Sequence, residues 1–226
     1  MPIGYSFYGR RPPYDRHVST MNVHLNFDPL TKDEFSEAAV IATRGFYTDP
    51  FFVYLSNKPL QRNRGLVFFF RGALSHMGPK AHIVTARDES NRIVGISAWL
   101  PTGAYPPPIR SQLAQVPSSF RALFRSSRAL RVGNKYLAAI AKAHPKEPHW
   151  YLLLLVADPE MQRHGVGKML MEHAIPQIDE EGVASYLETQ KEDNIAYYRR
   201  FGYELHATLR PVKNGPPLFT MRRAPR

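Results

Sequence analysis

The sequence predicts an α/β (α+β) fold in which helices flank one central mixed, mostly antiparallel sheet. Residues 82–86 and 93–100 are β-rich runs on either side of a turn-forming tetrapeptide, as in an antiparallel hairpin. A continuous apolar run at residues 150–156 is followed by a helical pattern and by another β-rich run at residues 184–189, which together predict a parallel β-α-β unit. Because no repeat or second domain boundary is visible, residues 22–226 are expected to form one domain.

The N-terminal half begins with a strand and two helices. Residues 23–27 alternate apolar and polar side chains, as a half-buried strand does, and the Asp-Pro pair that follows ends the strand. Thr31 or Asp33 can then cap a helix that continues to Phe46, and a second helix is predicted over residues 60–74. We expect the two helices to cover the same face of the sheet.

The C-terminal half contains the predicted parallel unit and three shorter elements. Its apolar run lacks alternation, which is typical of a strand that is buried on both faces. The following helix is predicted over residues 165–181, and Pro176 should bend it or remove one of its hydrogen bonds. The shorter elements are a helix capped by Asp193 or Asn194 that ends at Arg200, and strands near residues 203–209 and 218–222.

The composition restricts the chemistry and the location of the protein. With no cysteine among 226 residues, a disulfide framework, a thiolate zinc site and a cysteine nucleophile are excluded. The longest apolar runs are far shorter than the roughly 20 residues that a membrane helix needs. The N-terminal segment also lacks the apolar core of a secretory signal. We therefore expect a cytoplasmic protein with no membrane partner.

Positive charge is concentrated in two segments of a chain whose formal net charge is +11. Residues 1–21 are expected to be a disordered basic arm, with a transit peptide as the weaker alternative. Residues 109–146 contain eight Lys and Arg but no Asp or Glu, and their apolar spacing predicts a basic helical insertion. This insertion is either a solvated helical face or an anion-attracting surface. Because it lacks a nucleic-acid reading motif, nucleic acid is not an expected partner.

An anion-binding turn is predicted between the apolar strand and the helix of the parallel unit. Its sequence is Gln162-Arg163-His164-Gly165-Val166-Gly167. Glycines at a helix N-terminus let a pyrophosphate approach backbone N–H groups closely, and the helix dipole attracts the anion. Met169 stands where a Walker A loop requires Ser or Thr, and Leu170 stands where a Rossmann fingerprint requires Gly. Both of these nucleotide-binding designs are therefore excluded.

The turn and three other segments resemble the GNAT N-acetyltransferase superfamily. The turn follows a Val-x-x-Pro segment at residues 156–159, and together they fit that family's first cofactor motif without departure. Residues 194–203 are similar to its second cofactor segment, in which Asn and Tyr precede an aromatic-Gly-aromatic turn. With residues 149–152 and 187–189, these motifs resemble the branch of the family that contains puromycin N-acetyltransferase. The resemblance covers about residues 22–222.

The resemblance implies a single GNAT-type domain that uses acetyl-CoA as co-substrate. By position, the backbone of Leu154, Leu155 and Val156 would contact the acetyl group and the pantetheine arm, and Asn194 would hydrogen-bond that arm. Tyr198 would lie beside the sulfur atom. The pyrophosphate would be bound by the N–H groups of Gln162, Arg163, His164, Gly165, Val166 and Gly167.

Acetyl transfer to an amine requires a deprotonated amine, a stabilised oxyanion and a proton for the leaving thiolate. A phenol with a pKa of about 10 is protonated at neutral pH, so Tyr198 is the predicted general acid. Glu188 is the predicted general base because it stands near the end of a strand beside the cofactor cleft, and His149 and Tyr151 remain alternatives. No metal is expected, since the His and carboxylate residues show no metal-ligand spacing.

The predicted reaction is direct transfer of the acetyl group from acetyl-CoA to a primary amine of a small molecule through a tetrahedral intermediate. A protein or peptide N-acetyltransferase is the alternative on the same fold, and a non-catalytic nucleic-acid-binding or regulatory module is the alternative of another class. If the basic insertion lies near the acceptor, as the resemblance implies, acidic or phosphate-bearing acceptors deserve a test. The chain is expected to act as a monomer or a homodimer.

Overall fold

A seven-stranded sheet forms the centre of the computed structural model, which describes residues 24–106 and 127–226. The strands follow the order β1-β2-β3-β4-β5-β7-β6. Only β4 and β5 pair in parallel among the described strands, and the other neighbours are antiparallel. The predicted mixed, mostly antiparallel sheet is therefore confirmed. The strands are β1 Asn26–Pro29, β2 His82–Arg87, β3 Ile93–Leu100, β4 His149–Ala157, β5 Ala184–Thr189, β6 Tyr203–Leu209 and β7 Leu218–Arg223.

Helices join and cover these strands. They are α1 Phe35–Phe46, α2 Pro50–Leu55, α3 Pro59–His76, α4 Ser127–Ala143, α5 Val166–Glu180 and α6 Asp193–Arg199, with short 3-10 turns at Lys32–Glu34 and Pro159–Met161. Pro176 lies inside α5 without interrupting it. Among the described residues, no helix combines the length and the apolar character that are needed to cross a lipid bilayer.

Several details differ from the sequence-based expectation, beginning with β1, which includes the Asp28-Pro29 pair that was expected to end it. Helix α2 was not predicted, although Asp49 caps it by accepting a hydrogen bond from the Phe51 N–H at 3.0 Å and a proline occupies its first turn. The expected capping of α6 by Asp193 or Asn194 is wrong, because Glu192 is the N-cap residue. The Asn194 side chain instead donates to Thr189 Oγ1 at 2.8 Å, which ties the start of α6 to the end of β5.

The core lies on both faces of the central strands. Helices α1 and α3 cover one face, as predicted, and pack with α4 in a cluster that includes Leu66, Phe70 and Tyr136. Helix α5 packs in a second cluster with the buried indoles of Trp99 and Trp150. Because both faces are covered, every residue of β3 is buried.

The basic segments fall partly outside the described residues. The predicted arm at residues 1–21 and residues 109–126 of the predicted insertion belong to those parts of the chain. Helix α4 accounts for most of the remaining insertion, and its buried side is formed by Ala129, Val132, Gly133 and Tyr136. The helical spacing seen in the sequence is therefore confirmed for this part.

Strand β4 departs from the expected burial on both faces. The Leu153 side chain is 37% exposed, and Leu155 is half-buried. Strand β5 pairs with β4 only from His149 to Leu152, so the two parallel strands separate while β4 continues to Ala157. A register shift opposite β3 leaves Leu153 without a partner there, as in a β-bulge. The second half of the apolar run therefore lines an opening in the sheet and is not enclosed between two neighbouring strands.

Candidate active site

The divergence of β4 and β5 opens a cavity of about 600 Å³. Residues 152–157 line it from β4, and Glu188 lines it from the end of β5. Helix α6 contributes Asn194 and Tyr198. The structure therefore brings together seven of the residues predicted for the site, which are Leu154, Leu155, Val156, Gln162, Glu188, Asn194 and Tyr198.

The edge of β4 that faces this cavity has free backbone groups. On its other side, Leu154, Leu155 and Val156 pair with β3. On the β5 side, the ladder ends at Leu152, so the following N–H and C=O groups have no strand partner among the described residues. Backbone groups of this kind can hydrogen-bond an extended ligand that enters the gap in place of a strand.

The predicted anion-binding turn lies at the N-terminus of α5. Arg163 and Gly165 have φ values of 69° and 84°, in the left-handed region that favours glycine. A Cβ atom on Gly165 would meet nothing within 4 Å, so space above this backbone is open. Arg163 and His164 are exposed, whereas Val166 is buried in the core. Within the described residues, only Gln162 of this turn borders the cavity itself.

Charged side chains fix the 3-10 turn that leads into this segment. Asp158 is 1% exposed and accepts a hydrogen bond from the Glu160 N–H at 3.0 Å. Its other carboxylate oxygen lies 3.1 Å from Arg44, which also contacts Glu160 at 2.7 Å. Arg44 was not predicted, because nothing in the spacing relates α1 to a turn more than one hundred residues later.

Helix α6 presents an amide and a phenol to the cavity. Because the Asn194 side-chain N–H bonds Thr189, its amide oxygen can accept from a ligand. Tyr198 is 7% exposed, and its ring packs against Tyr197 and Tyr203. Burial raises the pKa of Tyr198 far above that of a free phenol, so this hydroxyl keeps its proton at neutral pH.

The Glu188 carboxylate is held in a buried polar cluster. Tyr151 donates a hydrogen bond to Glu188 Oε2 at 2.7 Å. Glu188 Oε1 lies 4.0 Å from His144 Nδ1, and both side chains are only 6% exposed. His144 in turn lies 3.0 Å from His149, between the two Nε2 atoms, and its ring stacks on Tyr105 with the centroids 3.7 Å apart. Glu188, Tyr151 and His149 were predicted as candidate bases, whereas His144 was not predicted.

The three phenols of the cluster keep their protons at neutral pH. Burial, followed by the charge of Glu188, raises the pKa of Tyr105, Tyr151 and Tyr186, so these phenols stay neutral. The Tyr151 proton is engaged by Glu188, which disfavours Tyr151 as a base. Across residues 24–106 and 127–226, no group of three or more His, Asp or Glu side chains could hold a metal ion.

The wall opposite the separated strands is apolar and aromatic. Phe46, Phe51, Phe52, Phe69, Phe70 and Tyr136 all line it. Asp49 adds a carboxylate that is 4% exposed, and burial raises its pKa. The residues of α4 that reach the cavity are Gly133, Tyr136, Leu137 and Ile140, none of which is basic. The described part of the basic insertion thus presents its apolar side to the site.

Comparison with known proteins identifies the class of this fold. Residues 79–203, more than half of the chain, match the sequence model of the acetyltransferase (GNAT) family. The matched region contains the parallel unit, the predicted anion-binding turn and α6. The chain therefore belongs to the GNAT acetyltransferase family, and membership implies an acyltransferase that uses acetyl-CoA.

Solved structures share the fold over nearly the whole chain. A Corynebacterium glutamicum protein described as histone acetyltransferase HPA2 and related acetyltransferase is 22% identical, with a TM-score of 0.67 and coverage of 89% of this chain and 97% of that one. Drosophila melanogaster polyamine N-acetyltransferase is 15% identical, with a TM-score of 0.59 and coverage of 89% and 100%. A Thermoplasma acidophilum PaiA N-acetyltransferase solved with coenzyme A is 11% identical, with a TM-score of 0.52 and coverage of 89% and 99%.

Proposed function

We propose that this protein transfers the acetyl group of acetyl-CoA directly to a primary amine of a small molecule. The observation that carries the proposal is that one cavity joins the open edge of β4 to a buried carboxylate, Glu188, and a buried phenol, Tyr198. Direct transfer through a tetrahedral intermediate needs a base for the amine and an acid for the thiolate. It needs no covalent enzyme intermediate.

The donor is proposed to lie along β4. The free backbone groups of Leu154, Leu155 and Val156 would hold the acetyl group and the pantetheine arm, and Asn194 would accept from or donate to that arm. The N-terminus of α5 would attract the pyrophosphate through its dipole and through backbone N–H groups of the turn that precedes it. The N–H groups proposed for this contact are those of Gln162, Arg163, His164, Gly165, Val166 and Gly167.

Glu188 is proposed as the general base and Tyr198 as the general acid. Tyr151 donates a hydrogen bond to Glu188 Oε2, and the other carboxylate oxygen, Oε1, has no hydrogen-bond partner among the described residues and can accept a proton from an ammonium group. The thiolate leaving group needs a proton donor. Tyr198 can serve as this donor because its buried phenol is protonated at neutral pH. Both groups line the cavity, so both can reach the reacting atoms.

The acceptor is proposed to be an amine with an apolar or aromatic body. Six aromatic side chains offer apolar surface to such a body, and a ring can pack edge to face against them. Glu188 and Asp49 favour a cationic amine over an acidic or phosphate-bearing acceptor. This proposal agrees with the resemblance to the branch that contains puromycin N-acetyltransferase. It also accounts for the apolar side of α4.

A matched panel of primary amines tests the function. Release of free coenzyme A is measured with 2-phenylethylamine, agmatine and O-phosphoethanolamine. Each has a primary amine on an unbranched chain, of two carbons in the first and third and of four in agmatine, and they differ in the group at the other end. We expect the highest kcat/KM with the aromatic amine and the lowest with the phosphate. Turnover of peptides alone would favour the protein or peptide acetyltransferase, and failure to bind acetyl-CoA in calorimetry would contradict the enzyme altogether.

The Gly165→Ala substitution tests the proposed pyrophosphate contact. At a φ of 84°, a side chain costs roughly 1–2 kcal/mol of backbone strain, and the added methyl group enters the open space above the turn. Loss of one charge-assisted hydrogen bond, about 1.5–3 kcal/mol, should weaken acetyl-CoA binding by roughly tenfold or more in calorimetry.

The matched control is Gly182→Ala at the other end of α5. Gly182 has a φ of 62°, and its added Cβ also meets nothing within 4 Å. We expect a similar fall in thermal stability for both variants and weaker acetyl-CoA binding for Gly165→Ala alone. Equal affinities in the two variants would remove the turn from the donor site.

A further inference from the structure

A second cavity lies behind the Glu188 cluster. Its volume is about 610 Å³, and its lining includes His144 and His149, whereas Glu188 lines the first cavity. Tyr105 and Pro106 line both cavities. The side chains of His144 and His149 therefore connect the buried carboxylate with a separate, open cavity that is not part of the proposed acetyl-CoA and amine site.

The hydrogen bonds of this cluster define which nitrogen atoms carry protons. His149 Nδ1 lies 2.6 Å from the Glu147 carbonyl oxygen, which can only accept, so Nδ1 carries the proton. The Nε2 atom of neutral His149 is then an acceptor. Since it lies 3.0 Å from His144 Nε2, His144 donates through Nε2 and leaves its Nδ1 without a proton.

In this arrangement of protons, His144 Nδ1 and the carboxylate of Glu188 are both acceptors, and one proton can be accommodated between them. His144 Nδ1 and Glu188 Oε1 face each other at 4.0 Å, and both are buried atoms without a hydrogen-bond partner. Two acceptors cannot bond each other, which accounts for a separation longer than a hydrogen bond. A proton that arrives on either atom would convert the contact into a charge-assisted hydrogen bond.

We propose that His144 and His149 relay the acceptor's proton from Glu188 to the water of the second cavity. This inference rests on the proposed function, with Glu188 as the base. The ammonium N–H bond breaks as a Glu188 O–H bond forms, and Glu188 then gives the proton to His144 Nδ1. His144 releases its Nε2 proton to His149 Nε2, and His149, now protonated on both nitrogens, releases one proton to water. Loss of its Nε2 proton returns His149 to its resting tautomer. His144, whose ring also borders the second cavity, returns to its own when it takes a proton on Nε2 and loses the Nδ1 proton during opening of the buried contact with Glu188.

The surroundings of the histidines favour release of the proton. Burial lowers the pKa of His149, and the charges of His144 and Arg222 act in the same direction, against the opposing contact with Glu147. Arg222 itself lies 3.9 Å from Glu147, which also interacts with His206. The phenols of Tyr105, Tyr151 and Tyr186 face the Glu188 side and remain neutral. A protonated His149 is therefore a short-lived state beside solvent.

The tautomers can be observed in the wild-type protein by long-range ¹H–¹⁵N correlation spectra of ¹⁵N-histidine. We expect a proton on Nδ1 of His149 and on Nε2 of His144 at neutral pH. A proton already present on His144 Nδ1 would overturn the relay, because the place beside Glu188 would be filled. This measurement does not depend on acetyltransferase activity.

Kinetic rescue provides the second test, with an amine that the wild-type enzyme acetylates. His149→Ala should lower kcat by about tenfold, a fraction of what a general base supplies, and leave the KM for acetyl-CoA unchanged. Added imidazole should restore several-fold of the lost rate, because the second cavity is open to it. His173→Ala, which removes a ring that stacks on Phe27, is the control. Its kcat should equal that of the wild-type enzyme, and added imidazole should not change it.

The outcomes separate the relay from the proposed function. If the wild-type enzyme acetylates no amine, the proposed function fails, while the tautomers still decide whether the proton arrangement exists. Wild-type rates for His144→Ala and His149→Ala, or a loss that imidazole does not restore in His149→Ala, would overturn the relay in an active enzyme. If His149→Ala fails to fold, the relay is tested by the kcat of His149→Gln and by the tautomer spectra of the wild-type protein.

Discussion

Glu188→Gln is expected to lower kcat/KM for the amine by roughly two to four orders of magnitude at pH 7, the usual contribution of a general base. The substitution keeps the shape of the side chain and a hydrogen-bond acceptor for Tyr151. It removes the charge that would accept the ammonium proton. Because the donor is proposed to bind along β4 and α5, acetyl-CoA affinity in calorimetry should stay within about twofold of the wild-type value.

The pH profile separates a lost base from a damaged site. An alkyl amine with a pKa of about 10.4 gains free base tenfold per pH unit below that value. The deficit of Glu188→Gln should therefore shrink as the pH rises toward the pKa of the amine. Glu172→Gln is the control, because this carboxylate of α5 is exposed and pairs with Lys168 at 3.5 Å. A pH-independent deficit would assign Glu188 a structural role.

The sequence predicted the elements whose signals are local. The β2-β3 hairpin and the β4-α5-β5 unit follow from short apolar runs, a glycine-bearing turn and helical spacing, and each lies within a few residues of its predicted bounds. Helix α2 was missed because its six residues are almost all apolar and therefore show no period. Their aromatic side chains were also not recognised as part of the cavity wall.

The features of the site that escaped prediction depend on tertiary geometry. An apolar run gives the same pattern whether it faces a core or a cleft, so the exposure of Leu153 could not be read from β4. His144 comes from the end of α4 and meets Glu188, on β5, only through the fold. Tyr198 was predicted from the resemblance, which carries information on the whole family that spacing within one sequence lacks, whereas Glu188 was predicted from its position near the end of a strand beside the cofactor cleft.

Tyr198→Phe is expected to lower kcat by about a hundredfold, within the usual contribution of a general acid, and to leave the Kd for acetyl-CoA unchanged. The variant keeps the ring that packs against Tyr197 and Tyr203 and removes only the hydroxyl group. Tyr197→Phe is the neighbouring control, since Tyr197 packs over Gly167 and does not line the cavity. Similar losses in the two variants would contradict the assignment of Tyr198.

The kcat of the wild-type enzyme at high pH provides a second test of Tyr198 as the general acid. A general acid acts only while it is protonated, and burial raises the pKa of Tyr198, so the protonated form persists to higher pH than in a free phenol. We therefore expect kcat with saturating amine to show no fall from phenol ionisation up to a pH of about 10, the ordinary pKa of tyrosine. A decline of kcat well below that pH, absent in Tyr198→Phe, would mean that Tyr198 loses its proton in the working range. The pKa of Tyr198 would then be lower than its burial implies, and another group would have to protonate the thiolate above that pH.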